Sequence, residues 1–103
     1  MTLAEFQATL ADANPPDVSL LLVSLWHDAR GNWEKAHNIA QDVDDEDGSW
    51  VHAYLHRKEG DLGNAGYWYR RASRPVASGS LNVEWNAIVD ALLATSPRAK
   101  GRA

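Results

Sequence analysis

The stretch Trp50-Val51-His52-Ala53-Tyr54-Leu55-His56-Arg57-Lys58-Glu59-Gly60-Asp61-Leu62-Gly63-Asn64-Ala65-Gly66-Tyr67-Trp68-Tyr69-Arg70-Arg71-Ala72 decides the fold. Its first ten residues predict a helix that stops at Gly60, because glycine supplies the left-handed conformation that reverses a chain in few residues. Asp61 then caps a further helix reaching to about Arg74, before Pro75. Ala65, five residues past the glycine, is small enough for two helix backbones to approach closely. The product is a helical hairpin. The same spacing occurs 29 residues earlier, where His27, Gly31 and Ala36 align with His56, Gly60 and Ala65, and Asn32 takes the capping place of Asp61.

Working outward, nothing alternates with a period of two between turn residues, so no strand is expected. Thr2 and Glu5 form a capping box, with Leu3, Phe6 and Leu10 on one face of a helix ending near Ala13. Asn14-Pro15-Pro16 breaks it, and Asn14 or Asp17 caps a second helix over roughly 18–30. A third is expected from Asn32 to about Val43. The run Asp44-Asp45-Glu46-Asp47-Gly48 reads as a solvated turn, with Asp47 or Ser49 capping a helix from Trp50. A last helix from about Asn82 to Thr95 carries Val83, Ala87, Val89, Leu92 and Leu93 as its apolar band. The expectation is an all-α domain over 1–96, with about six helices: two stacked antiparallel hairpins capped by the N- and C-terminal helices. Residues 97–103 form a basic tail with almost nothing to bury, expected to be disordered.

Gly60-Asp61, Ala65, Tyr69 and Ala72 resemble the tetratricopeptide repeat, whose pattern has a glycine-acid turn, an alanine five residues on, then an aromatic and another alanine. The first copy departs from it: Ala40 stands where the aromatic belongs, and the offset of 29 falls short of the usual 34 or so. Residues 50–72 are also similar to the signature of a family of small bacterial and fungal proteins, a kinship that brings no reaction with it. The resemblance covers the middle of the chain and implies a helical scaffold that binds other proteins. Two repeats bury too little by stacking alone, so either the terminal helices or a second subunit should cover the ends.

The chain has 103 residues, no cysteine and a net charge of −4. Disulfides, thiolate ligands and a cysteine nucleophile are thereby excluded. No run of about 18 apolar residues suggests a membrane span, and the acidic N-terminus does not read as a secretory leader, so a cytoplasmic location is expected. Charge is uneven. Residues 1–50 carry ten acids against Arg30 and Lys35, and residues 51–103 carry eight bases against four acids. Such polarity favours association of unlike halves, hence a possible homodimer, although it also serves solubility. Nucleic acid is a poor partner for an acidic chain whose basic cluster is short.

Two groups of residues could carry chemistry. His52 and His56, four apart on one helix, present both imidazoles on one face as a two-histidine metal site requires, with Glu59 as a third ligand for a divalent ion such as zinc. Ala53 occupies the place where a metalloprotease motif has glutamate, and the alignment of His56 with His27 equally suits histidines that fill the core. The other group is Arg57, Lys58, Tyr67, Trp68, Arg70, Arg71 and Arg74, an aromatic and basic composition typical of interfaces and anion pockets. Its arginines can equally cover aromatic faces with nothing bound. Gly63 and Gly66 lie inside a predicted helix, where close approach of a neighbouring helix would account for them. The five tryptophans fall one to each of five predicted helices, so several can meet in one core.

No nucleophile and base can be named from spacing. The first functional expectation is a non-enzymatic interaction module receiving an acidic peptide or a second copy on the helix-four and helix-five surface. The alternative is a pocket in which His52, His56 and Glu59 hold a metal or a polar small molecule.

Overall fold

A computed structural model describes residues 1–95, which form six α-helices and no strand. The helices are α1 (Leu3–Ala8), α2 (Leu20–Ala29), α3 (Trp33–Gln41), α4 (Glu46–Glu59), α5 (Leu62–Arg71) and α6 (Leu81–Thr95), with a 3₁₀ turn over Thr9–Ala11. The basic tail anticipated for 97–103 lies outside the described residues. None of the helices is long and apolar enough to cross a membrane.

The glycine corners form as their spacing demands. Gly31 and Gly60 take φ of +84° and +92°, and the next residue returns its N–H to a carbonyl five positions back: Asn32 to His27 and Asp61 to His56, both at 2.9 Å. Ala36 and Ala65 are buried at the helix crossings that follow. The device recurs at the end of α5, where Ser73 takes φ of +59° and Arg74 donates to the Tyr69 carbonyl at 3.0 Å. Asn32 and Asp61 cap α3 and α5 with their side chains, and Thr2 with Glu5 closes the capping box of α1.

Several boundaries differ from the sequence reading, each for a physical reason. α2 begins after Ser19, which makes no side-chain capping bond, so neither Asn14 nor Asp17 caps it. α4 starts at Glu46, four residues earlier than expected, because Asp45 accepts from the Gly48 N–H at 2.7 Å. Glu46 and Asp47 are then first-turn acids facing a helix dipole. Gly48 lets the chain double back at this point: a Cβ there would sit 1.9 Å from the Val43 carbonyl oxygen. On α6 the buried face is Glu84, Trp85, Ile88, Val89 and Leu92, whereas Val83 is 67% exposed and Ala87 is exposed.

α4 is the central element, packing against α2, α3, α5 and α6. α6 also touches α1 and α2, so the terminal helices cover the open side of α2 and α4. Phe6, Leu22, Leu25, Trp26, Val51, Leu55, Ile88 and Val89 fill the core between them. Trp26 and Trp85 are buried with their indole N–H groups on the carbonyls of Thr9 and Leu25, at 3.2 and 3.1 Å. Trp33 and Trp68 are only half-buried.

Gly63 and Gly66 are not sites of close helix approach. A Cβ on Gly63 would meet nothing within 4 Å, and one on Gly66 would meet only an Arg70 guanidinium nitrogen at 3.7 Å. Gly63→Ala is therefore expected to stabilise the protein by about 0.5–1 kcal/mol, from helix propensity alone. Urea denaturation of the variant checks this, and a loss of stability would mean that the open space is used.

Candidate functional site

α4 offers two faces. One turns toward α3 and α5 and carries His52 and His56, whose rings stack with centroids 4.8 Å apart, as an i,i+4 pair must if both side chains lie on one face. Both are buried, at 6% and 7% exposure. His37, on α3, meets both rings edge-on, with centroids 4.6 Å from His52 and 5.0 Å from His56. Its Nε2 lies 2.9 Å from Nε2 of His52. One ring nitrogen from each of His37, His52 and His56 falls within 4.8 Å of the others.

Aromatic walls hold the cluster. Trp33 stacks on His37 at 4.9 Å, one turn earlier on α3, and its indole N–H is fixed by the Leu55 carbonyl at 2.8 Å. Trp68, from α5, stacks on His52 at 3.9 Å with its plane 15° away. The two tryptophans that the core does not fully enclose are thus the ones that position imidazoles.

Electrostatics keep two rings neutral. Burial, then the neighbouring His37 and His56, pulls the His52 pKa down to about 4. His37 is lowered as well, by burial and then by His56, with Glu59 opposing. Neutral imidazoles are the form a metal requires, and since one of the two Nε2 atoms donates to the other, binding both to a metal moves that proton to the far nitrogen of its ring. His56 is oriented differently. Its Nδ1 is 2.7 Å from Glu59 Oε2, so Nδ1 donates to the carboxylate, and its Nε2 lies 3.4 Å from the Asn64 side-chain nitrogen.

Glu59 thus acts on the outer nitrogen of His56 and does not join His52 as a ligand. With His56 and Asp61 it makes a second, more exposed group of possible donors. His27, the repeat partner of His56, is half-buried against the Trp26 edge at 5.1 Å and takes no part in the cluster. His37 was not among the residues the sequence singled out. The 29-residue offset gives it no histidine counterpart, and its only sequence signal is its place one turn after Trp33, beside buried Ala36 and Ala40.

The basic and aromatic residues divide among three places. Arg57 and Lys58 are engaged in ion pairs, Arg57 with Glu84 at 2.8 Å and Lys58 with Asp28 at 2.9 Å. Arg74 lies over the Trp50 ring, 3.4 Å from its centroid. Tyr67 and Arg71 remain together on α5, where Arg71 stands 5.3 Å over Trp68 and 5.9 Å over Tyr67; Arg70 is exposed nearby.

No protein-family model matches this chain. Neither a curated protein nor a solved structure matches it. The functional reading therefore rests on the residues themselves.

Proposed function

We propose that this protein binds a divalent transition metal, zinc in the first instance, through His37, His52 and His56, with Glu59 holding the His56 ring. The observation that carries the reading is the convergence of three imidazole nitrogens from two helices within 4.8 Å. A tetrahedral ion with metal–nitrogen bonds of about 2.0–2.1 Å spaces its ligands about 3.3 Å apart. The 2.9 Å between His37 and His52 needs to open by only a few tenths of an ångström. An all-imidazole donor set suits zinc, copper or nickel, and not calcium or magnesium. Among the described residues no carboxylate joins the three nitrogens, so a fourth position would fall to water or an outside ligand, the composition of a reactive centre more than of a closed structural one.

Calorimetric titration of chelator-treated protein with Zn²⁺ tests the proposal. The expected result is one ion per chain, with affinity reduced at least tenfold in each of His37→Ala, His52→Ala and His56→Ala, and reduced less in Glu59→Gln, which removes only the orienting charge. Unchanged binding in His37→Ala would reject the three-histidine site.

A second reading keeps the tetratricopeptide-like scaffold as an interaction module for an acidic peptide or a second subunit. It is supported by Tyr67, 45% exposed beside Arg70 and Arg71 on α5. Light scattering of wild type against Tyr67→Ala tests the self-association form: an unchanged monomer in both removes it.

A further inference from the structure

The other face of α4 borders a cleft of about 410 Å³ between α1, α2 and α6. Asp28 forms its floor, and both carboxylate oxygens are engaged, Oδ1 by Lys58 Nζ at 2.9 Å and Oδ2 by the Tyr54 hydroxyl at 3.3 Å. Asp28 and Lys58 are the charged residues that line it among the described residues. Their exposures differ sharply: the Asp28 side chain is 1% exposed and that of Lys58 36%. A molecule entering the cleft therefore meets more of the ammonium than of the carboxylate.

The amides nearby are incompletely used. Gln7 Nε2 donates to Asn86 Oδ1 at 3.0 Å across the cleft, and the Asn86 amide N–H₂ has no acceptor among the described residues. Asn82, one turn earlier on α6, makes no side-chain hydrogen bond among the described residues. Leu10 and Trp85 supply apolar wall. Free donors around one accessible cation select an acceptor of single negative charge, and the volume lies near the lower end of small-molecule sites.

We propose that this cleft is a second binding site, separate from the histidine cluster, that takes a small monocarboxylate with a short apolar body. The carboxylate would sit on Lys58 Nζ and the Asn86 and Asn82 amides, and the apolar part would lie against Leu10 and Trp85. Phosphate is the poorer ligand, because among the described residues Lys58 is the one cation lining the cleft to meet its second negative charge. The buried Asp28 serves to hold Lys58 in place, as an ion pair whose exposed partner keeps two N–H bonds to give.

The test is titration of ¹⁵N-labelled full chain with butyrate and phenylacetate, with butyramide and inorganic phosphate as controls, all in the presence of chelator. Expected are saturable shifts of the Trp85 indole N–H and the Asn86 side-chain amide, absent with butyramide and at least tenfold weaker with phosphate. Lys58→Met should abolish the shifts. Because that change strands Asp28 and can unfold the chain, Asn86→Leu is the parallel variant, expected to weaken binding at least fivefold with the fold intact. His37→Ala should bind the acids as wild type does, which separates this site from the metal reading. Equal response to butyrate and butyramide, equal response to phosphate, or undiminished binding in Asn86→Leu would overturn the assignment.

Discussion

Glu84→Ala is expected to destabilise the protein by about 3–5 kcal/mol, a large part of the total stability of a domain this size. Glu84 comes from α6 and is 7% exposed. Its Oε1 accepts from Arg57 Nη1 at 2.8 Å and its Oε2 from the Tyr69 hydroxyl at 2.6 Å. Arg57 also donates from Nη2 to the Gly79 carbonyl, which ties the 72–80 connection to α4. One carboxylate therefore joins α4, α5 and α6, and the phenol beside it is held well above its usual pKa by burial and by the hydrogen bond to Glu84. Truncation leaves a guanidinium that is 12% exposed without its counter-charge and a buried hydroxyl without an acceptor. Glu84→Gln keeps one acceptor and should cost less. The double change Glu84→Leu with Arg57→Met should recover part of the loss, since removing both charges removes the unpaired one. Urea denaturation of the set measures this, and a Glu84→Ala loss under 1 kcal/mol would show that water replaces the pair.

The same network explains why the basic surface read from the sequence divides in the structure. Arg57 and Lys58 follow His56 directly, and on a helix successive side chains diverge by about 100°, so residues adjacent in sequence serve different faces. Which face meets solvent depends on the position of α6, and α6 begins only at Leu81, more than 20 residues further along the chain. Its own inward face carries the acid that claims Arg57. A reading by apolar content put Val83 inside and gave Glu84 no role, because a buried carboxylate looks like a surface residue until its partners are known.

What was legible was local. The glycine corners, the caps at Thr2, Asn32 and Asp61, and the i,i+4 relation of His52 and His56 each depend on fewer than about six consecutive residues, the range over which backbone chemistry speaks for itself. His37 depends on the crossing of α3 and α4, a non-local fact. The start of α4 was missed for a different reason: Asp44 to Asp47 has the composition of a loop, yet at a helix N-terminus the same acids cap and complement the dipole. Gly48, which reads as a loop residue in that run, is buried against the Val43 carbonyl.

The histidine cluster makes stability depend on pH in a definite direction. The folded chain holds His52 near pKa 4 against about 6.5 when unfolded, so between these values the unfolded chain takes up a proton that the folded chain refuses. Stability is therefore full above about pH 6.5, falls as pH drops toward 4, and gains no further loss from this group below that. His37, lowered by the same burial, acts in the same sense. The expected contribution of His52 is about 3 kcal/mol across the window. Carboxylates add their own loss at the acid end, so the measurement is urea denaturation from pH 7 to 5, wild type against His52→Gln. The variant should show the shallower slope. Zinc adds a second layer: at a free concentration about 100 times its dissociation constant it contributes about 2.7 kcal/mol, or a rise in Tm of about 10–20 °C. Because protons compete weakly for rings of depressed pKa, that rise should persist at pH 6 and disappear near pH 4. Parallel pH slopes in wild type and His52→Gln would show that the ring is solvated and not held neutral, and a zinc effect already absent at pH 6 would count against His37 and His52 as ligands.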